Sequence, residues 1–249
     1  MLLIFTDLDA TLLDHETYSF EEALPALQLI KDKEIPLILS SSKTYEEMIH
    51  IRKKLNNNDP FIYENGSGIY FKNKKVSLGA NYNEIHNLLL KLKQQFTFLS
   101  FTDMGPRGIQ KETGLDINAS IRASQREFTE PIIWKDTIEQ LNKFKTLLSK
   151  KNLIILQGGR FLTISSPQTK GDALLWIKKR YEGLSNNKIT TLGLGDSEND
   201  INMLKKVDKA VIIRHPKKPP PKITMHSSII TTDEIGPKGW NKAIIDYIG

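Results

Sequence analysis

The chain opens on an apolar run of strand length, Leu2-Leu3-Ile4-Phe5, that ends at two carboxylates, Asp7 and Asp9. A run apolar along its whole length suits a central strand of a parallel sheet, buried on both faces. Apolar residues then recur at helical spacing from Phe20 to Lys31, through Ala23, Leu24, Leu27 and Ile30. Ser19 is the expected N-cap, Glu22 stands near the capping-box position, and Pro25 falls in the first turns, where it is tolerated. Ile35-Pro36-Leu37-Ile38-Leu39 predicts the next strand, Ser40-Ser41-Ser42-Lys43-Thr44 a hydroxyl-rich turn, and Tyr45 to Leu55 the next helix. This alternation predicts parallel strands with right-handed crossovers.

Two short apolar runs, Pro60 to Tyr63 and Ile69 to Phe71, flank the turn residues Glu64-Asn65-Gly66-Ser67-Gly68 and predict a hairpin projecting from the sheet edge. Lys72 to Asn83 reads as a polar connector, and Glu84 to Gln95 as a helix with Ile85, Leu88, Leu89 and Leu92 on one face. From Phe98 to Asp116 periodicity is lost, and Met104-Gly105-Pro106-Arg107-Gly108 and Thr113-Gly114 are loop signals. Residues 120–128 alternate weakly, Pro131 to Trp134 predicts a strand, and Thr137 to Lys150 an amphipathic helix. Leu153 to Leu156 and Phe161 to Ile164 predict a second hairpin across Gln157-Gly158-Gly159-Arg160. Residues 84–165 therefore read as an α+β insert whose strands pair locally.

The earlier rhythm then resumes. Gly171 to Tyr181 predicts a helix, Ile189 to Leu194 a buried strand, Ile201 to Val207 a helix, Ala210 to Ile213 a strand, Ile229-Ile230 a last short strand and Lys238 to Tyr247 a closing helix. Lys217 to Lys222, KKPPPK, is an extended surface loop. The expected fold class is α/β: a Rossmann-like parallel sheet core with helices on both faces, built from 1–83 and 166–249 and interrupted by the smaller α+β domain at 84–165.

Composition narrows the chemistry. The 249 residues contain no cysteine, which rules out disulfides, thiolate zinc sites and cysteine nucleophiles, so any metal must sit on oxygen or histidine. No run approaches the ~20 apolar residues of a membrane span, and an opening strand leaves no room for a signal segment, so a cytoplasmic protein with no membrane partner is expected. The net charge of +6 comes from scattered lysines, which predicts a solvated surface that attracts anionic small molecules rather than a nucleic-acid footprint.

Ligands of open α/β sheets gather at the carboxyl ends of the strands. Four loops become neighbours there: Asp7-Leu8-Asp9-Ala10-Thr11, Ser40-Ser41-Ser42-Lys43, Thr169-Lys170-Gly171 at a helix start, and Gly195-Asp196-Ser197-Glu198-Asn199-Asp200. Singly, each has an ordinary reading as turn, cap or surface lysine; the four types in this order do not. Clustered acids repel by about 4 kcal/mol per pair at ~4 Å and an effective dielectric near 20, so they call for a cation. Oxygen ligands from Asp7, Asp196 and a backbone carbonyl would suit magnesium, and a lysine and a serine hydroxyl would cradle a phosphate. A carboxylate could then attack phosphorus while a second, Asp9, protonates the leaving oxygen.

DLDAT, SSSK, TKGDA and GDSEND together resemble the four motifs of the haloacid dehalogenase-like phosphohydrolase superfamily, with Ala10 standing where most members of this branch have glycine. The resemblance implies Asp7 as nucleophile and Asp9 as acid/base. It implies phosphate binding by Ser41, Ser42, Lys43 and Lys170. Mg2+ would be held by Asp7, Asp196 and the backbone of Asp9, with Asn199 and Asp200 in support. It further implies that the insert is a C2-type cap that closes over the substrate. Within the insert, DMGPRG, SQREFTEP and GGRF, with the final GPKGW, are similar to the mannosyl-3-phosphoglycerate phosphatase family. That likeness implies 2-O-mannosyl-3-phosphoglycerate as substrate, gripped by Arg107, Gln125, Arg126, Glu127 and Arg160. Arginine is suited to two-point contact with the substrate's carboxylate. The glucosyl analogue, a broader sugar phosphatase, a phosphomutase, and a non-catalytic binder of phosphorylated ligands or nucleic acid remain open at this level.

Overall fold

The computed structural model describes residues 1–157, 160–184, 188–224 and 228–249. The elements run β1 (Leu2–Thr6), α1 (Leu24–Asp32), β2 (Leu37–Ser40), α2 (Tyr45–Lys54), β3 (Phe61–Tyr63), β4 (Gly68–Phe71) and β5 (Lys74–Ser77). Next come α3 (Tyr82–Leu92), β6 (Phe98–Ser100), α4 (Phe101–Thr113), α5 (Ile117–Ser124), β7 (Glu130–Trp134), α6 (Ile138–Ser149), β8 (Ile154–Gln157) and β9 (Leu162–Ser165). The chain closes with α7 (Lys170–Glu182), β10 (Thr190–Gly195), α8 (Ile201–Leu204), β11 (Lys209–Arg214), β12 (Ile229–Ile235) and α9 (Gly236–Ile248).

The larger sheet has the order β12-β11-β10-β1-β2-β3-β4-β5. Every pair from β12 to β3 is parallel, and β4 and β5 extend the sheet antiparallel instead of projecting from it. The period-2 alternation of β1 divides the core into two layers. Ile4 packs with Ala26 and Ile30 of α1 and with Trp240 and Ile244 of α9. Leu3 and Phe5 pack on the other face with Leu174 and Ile177 of α7 and Met203 and Leu204 of α8. The α/β expectation with helices on both faces therefore holds. Among the described residues no helix is long and apolar enough to cross a membrane.

The second sheet, β6-β7-β9-β8, is antiparallel throughout. One face is covered by α3 and α6 through Ile85, Leu89, Leu92, Leu141, Phe144 and Leu148. The β8–β9 pairing matches the predicted hairpin, while Gly158 and Gly159 of its turn lie outside the described residues.

The sequence reading is corrected in several places. Phe98 to Thr113 is strand and helix, not loop, and only the Thr113-Gly114 signal marks a helix end, with Gly114 the left-handed C-cap (φ +80°). Ser100 and Asp103 form a capping box that starts α4, and the breaker Gly105 (φ +59°) only kinks it before Pro106. Residues 117–124 are helix α5, capped by Asp116 accepting from the Ala119 N–H at 2.8 Å, so the weak alternation there was misleading. The polar stretch 72–83 contains edge strand β5 and the start of α3. Ser19 does not cap a regular helix: its Oγ accepts from Glu21 N–H at 3.2 Å, ahead of a 3-10 turn that leads into α1. The helix after the GDSEND loop ends at Leu204, and the last strand reaches Ile235.

Phe144 is fully buried among Phe96, Phe98 and Trp134, with ring centroids 5.1–5.5 Å away. Phe144→Ala is expected to cost about 3–5 kcal/mol, read as a lower denaturation midpoint; an unchanged midpoint would mean that this cluster does not hold the smaller sheet.

Candidate active site

The site begins with where β1 ends. Pairing on both sides, with β10 and β2, fixes the strand, and the Asp7 N–H extends the ladder by donating to Leu194 O at 2.9 Å. Thr6 is tied from behind: its Oγ accepts from the indole N–H of buried Trp240 at 2.9 Å and donates to the Asp7 carbonyl at 2.8 Å. Ala10, in the next turn, has φ +58°. That left-handed conformation costs an L-residue roughly 1–2 kcal/mol and explains why glycine suits the position.

Lys170 is the first residue of α7, whose start is set by a capping box between Thr169 and Asp172. Its ammonium is fully buried and lies 2.5 Å from Asp7 Oδ1 and 2.7 Å from Asp200 Oδ1. Burial opposes the lysine's charge, but Asp200 and Asp7 outweigh it and hold the ammonium above its ordinary range. Burial, reinforced by Asp200, pushes the Asp7 carboxyl up against the pull of Lys170. Asp196 is pushed up to about 6, again by burial first and Asp200 next. Thr11 Oγ donates to Asp196 Oδ1 at 3.1 Å, and His215 Nε2 stands 4.0 Å from its Oδ2. Burial, with His15 and the nearby lysines, lowers His215 to about 4, leaving it neutral at pH 7.

Asp9 pairs with Lys43 at 2.9 Å. Burial works against the Lys43 charge too, and Asp9 with Glu47 keeps it protonated. Ser41 is buried; its N–H donates to Ile62 O at 3.1 Å and its Oγ accepts from Lys43 N–H at 3.3 Å, which shapes the loop between β2 and α2. Asn199 donates to Asn65 Oδ1 at 3.2 Å and accepts from Ser197 Oγ at 2.7 Å.

Asp7, Asp196 and Asp200 bring carboxylate oxygens within 4.8 Å of one another. Asp200 is already committed: Oδ1 takes Lys170, and Oδ2 accepts from the N–H groups of Asp196 and Ser197, both at 3.1 Å. Asp7 and Asp196 therefore have the oxygens to offer a cation. Counted in their ordinary ionised forms, four carboxylates, Asp7, Asp9, Asp196 and Asp200, meet two lysines, Lys43 and Lys170, a formal excess of two negative charges in the absence of a cation. An all-oxygen set with that excess fits a hard divalent cation such as Mg2+.

A cleft of about 630 Å³ opens over these groups. It is lined by Asp7, Asp9, Ser42, Asp196 and Asn199 from the predicted set, with Asn65, His15, His215 and Lys218 from the larger-sheet side and Leu156, Gln157 and Thr163 from β8 and β9. The predicted insert residues are not part of that lining. Arg126 donates to Ser42 O at 2.9 Å, and Glu127 pairs with Lys75 at 2.5 Å and accepts from Tyr63 OH at 3.2 Å. Gln125, Arg107 and Arg160 are exposed, and neither arginine has a side-chain partner among the described residues. Sequence reasoning missed Asn65, Thr11, His15 and His215. Asn65 was visible only as a turn residue, and the histidines stand alone in loops with no motif around them.

A strand-end aspartate paired to a buried lysine stands at the carboxyl edge of a parallel sheet, where open α/β folds bind their ligands. The chain belongs to the haloacid dehalogenase-like hydrolase family, whose pattern it matches over residues 4–234. It is similar to a glucosyl-3-phosphoglycerate/mannosyl-3-phosphoglycerate phosphatase of Persephonella marina, 38% identical over 98% of this chain and 96% of the relative. A protein of the same name from Methanococcoides burtonii is 36% identical over 99% and 97%. A solved phosphatase structure of the same superfamily from Bacteroides thetaiotaomicron superposes with a TM-score of 0.72 at 16% identity, covering 99% of this chain and 95% of that one, a likeness of fold. Family and site together make the chain a phosphoric monoester hydrolase.

Lys170→Met would leave Asp7, Asp196 and Asp200 without their buried counter-charge. The expected cost is about 3–5 kcal/mol in metal-free buffer, measured as a lower urea midpoint; equal midpoints would show that the ion pair does not hold the centre together.

Proposed function

We propose that this hydrolase removes the phosphate of 2-O-mannosyl-3-phosphoglycerate and of its glucosyl counterpart, releasing the glycosylglycerate and inorganic phosphate. The observation that carries the reaction is the buried Asp7–Lys170–Asp200 contact beside the Asp9–Lys43 pair, with Asp7 and Asp9 lining one cleft. The substrate follows from two near-full-length relatives that are both named for the two sugar acids.

In this reading Asp7 attacks phosphorus, and Lys170, with the Ser41, Ser42 and Lys43 loop, holds the phosphoryl oxygens. Asp9 gives its proton to the departing glycerate oxygen, which is a poor leaving group without one. Asp9 then takes a proton from water, which hydrolyses the aspartyl-phosphate. Magnesium, held by Asp7, Asp196 and the Asp9 carbonyl, would offset charge on the phosphate. Asp200 and Asn199 orient Asp196 and its loop rather than bind the ion. The insert supplies selectivity. Of the predicted arginines, Arg160 and Arg107 have no side-chain partner among the described residues and are the ones to take the carboxylate; Arg160 follows the β8 strand whose Leu156 and Gln157 line the cleft. Arg126, Glu127 and Gln125 act at the insert's seat on the larger sheet, where Arg126 and Glu127 are already engaged.

Asp7→Asn is expected to retain the fold and lose turnover by roughly a thousandfold or more; a residual rate near the parent's would remove Asp7 from the nucleophile's role. Phosphate release measured over mannosyl- and glucosyl-3-phosphoglycerate and simple hexose phosphates should favour the two sugar acids and stop on chelation of magnesium. Preference for a hexose phosphate would overturn the substrate, and full activity after chelation the metal.

A further inference from the structure

The turn Glu64-Asn65-Gly66 between β3 and β4 carries features that the acids and lysines of the centre do not explain. All three residues have positive φ, at 46°, 58° and 102°. Glycine adopts that region freely and asparagine tolerates it, whereas glutamate does so mainly where the surroundings over-determine it. Each residue has its own anchor. A Cβ on Gly66 would lie 2.1 Å from Thr169 O and 2.6 Å from Lys170 N, so the turn is pressed against the first residue of α7. Asn65 lines the cleft beside Asp7 and Asp196; its Oδ1 is taken by Asn199, and its Nδ2 has no partner among the described residues. Glu64 is fully buried and accepts from the Glu127 N–H at 2.7 Å, the Phe128 N–H at 3.0 Å and the Thr129 hydroxyl at 2.6 Å, all in the loop between α5 and β7.

A buried carboxylate costs several kcal/mol of desolvation unless it is held by such donors, and here every donor belongs to the insert. Three consecutive residues of one turn thus touch the insert, the GDSEND loop and the start of the Lys170 helix. We propose that this turn is a further working part of the site: Asn65 donates from Nδ2 to the phosphoryl oxygens of the substrate, and Glu64 is the positioning residue that sets Asn65 by how the α5–β7 loop is seated. The proposal rests on the phosphatase reading. A substrate whose organic part fills the cleft under β8 and β9 engages the insert, and the seating reaches the phosphoryl group through two adjacent residues. A small ester without such a part depends on Asn65 but gains little from Glu64.

Asn65→Gly and Glu64→Gln in the full chain test it, with thermal midpoints and steady-state kinetics on mannosyl-3-phosphoglycerate and on p-nitrophenyl phosphate. Glycine suits the left-handed backbone and removes the amide together with its one bond from Asn199, so N65G should nearly keep the midpoint while kcat falls roughly a hundredfold on both esters. Turnover within about twofold of the parent would overturn the role of Asn65. E64Q should lower kcat/KM roughly threefold to tenfold on the sugar acid and less on p-nitrophenyl phosphate. Equal losses on the two esters, or none, would overturn the coupling. Should the parent hydrolyse p-nitrophenyl phosphate and not the sugar acid, the substrate assignment fails by itself. N65G then still decides for Asn65, and the best hexose phosphate replaces the sugar acid in the Glu64 comparison.

Discussion

A single buried ammonium, that of Lys170, sets the terms for the rest of the centre. Taking a lysine out of water costs several kcal/mol, which is offset only when opposite charges meet it in good geometry. Asp7 does so from the end of β1, and Asp200 from the turn that leads into α8. Asp200 spends its other oxygen on the backbone of Asp196 and Ser197, so the same charge also shapes the loop after β10. Close approach makes this possible: a Cβ on Gly171 would lie 2.3 Å from Asn202 O, so α7 and α8 can meet there only without a side chain.

The charge balance then separates what the protein provides from what it must borrow. Two lysines against four carboxylates leave a deficit that a divalent cation would fill. Neutral His215 beside Asp196 adds no positive charge to the balance. Asp7 and Asp9 differ in the same way that their surroundings differ. Asp7 is buried on Lys170, while the Asp9 side chain is more than a third exposed beside Lys43.

The parallel core was legible because its signal is burial, and burial leaves a periodicity: Leu3, Ile4 and Phe5 announce a strand covered on both faces. The acids and lysines at strand ends were legible as residue types in a fixed order. What escaped depends on local caps that override breaker residues and on contacts between distant segments. Gly105 and Pro106 look like a loop but serve as a kink, because the Ser100–Asp103 box nucleates the helix ahead of them. Lys74 to Ser77 looks like a connector because an exposed edge strand needs no apolar face. Glu64 and Asn65 carry the same signature as any turn, and only the folded chain reveals what they bind. Arg126, chosen for its chemistry, goes to the Ser42 carbonyl, since composition names a guanidinium's capacity and not its direction.

The tie between Trp240 and Thr6 links the two ends of the chain: the indole in the last helix holds the residue just before Asp7. β1 also needs β10, from Leu2 with Thr190 to Thr6 with Leu194. Contacts so far apart in sequence form late and slowly. During synthesis the first strand therefore emerges nearly two hundred residues ahead of its partner. β2 can cover one side of that strand early, but its β10 side stays open until residues 190–194 are made, and Trp240 can tie Thr6 only after that.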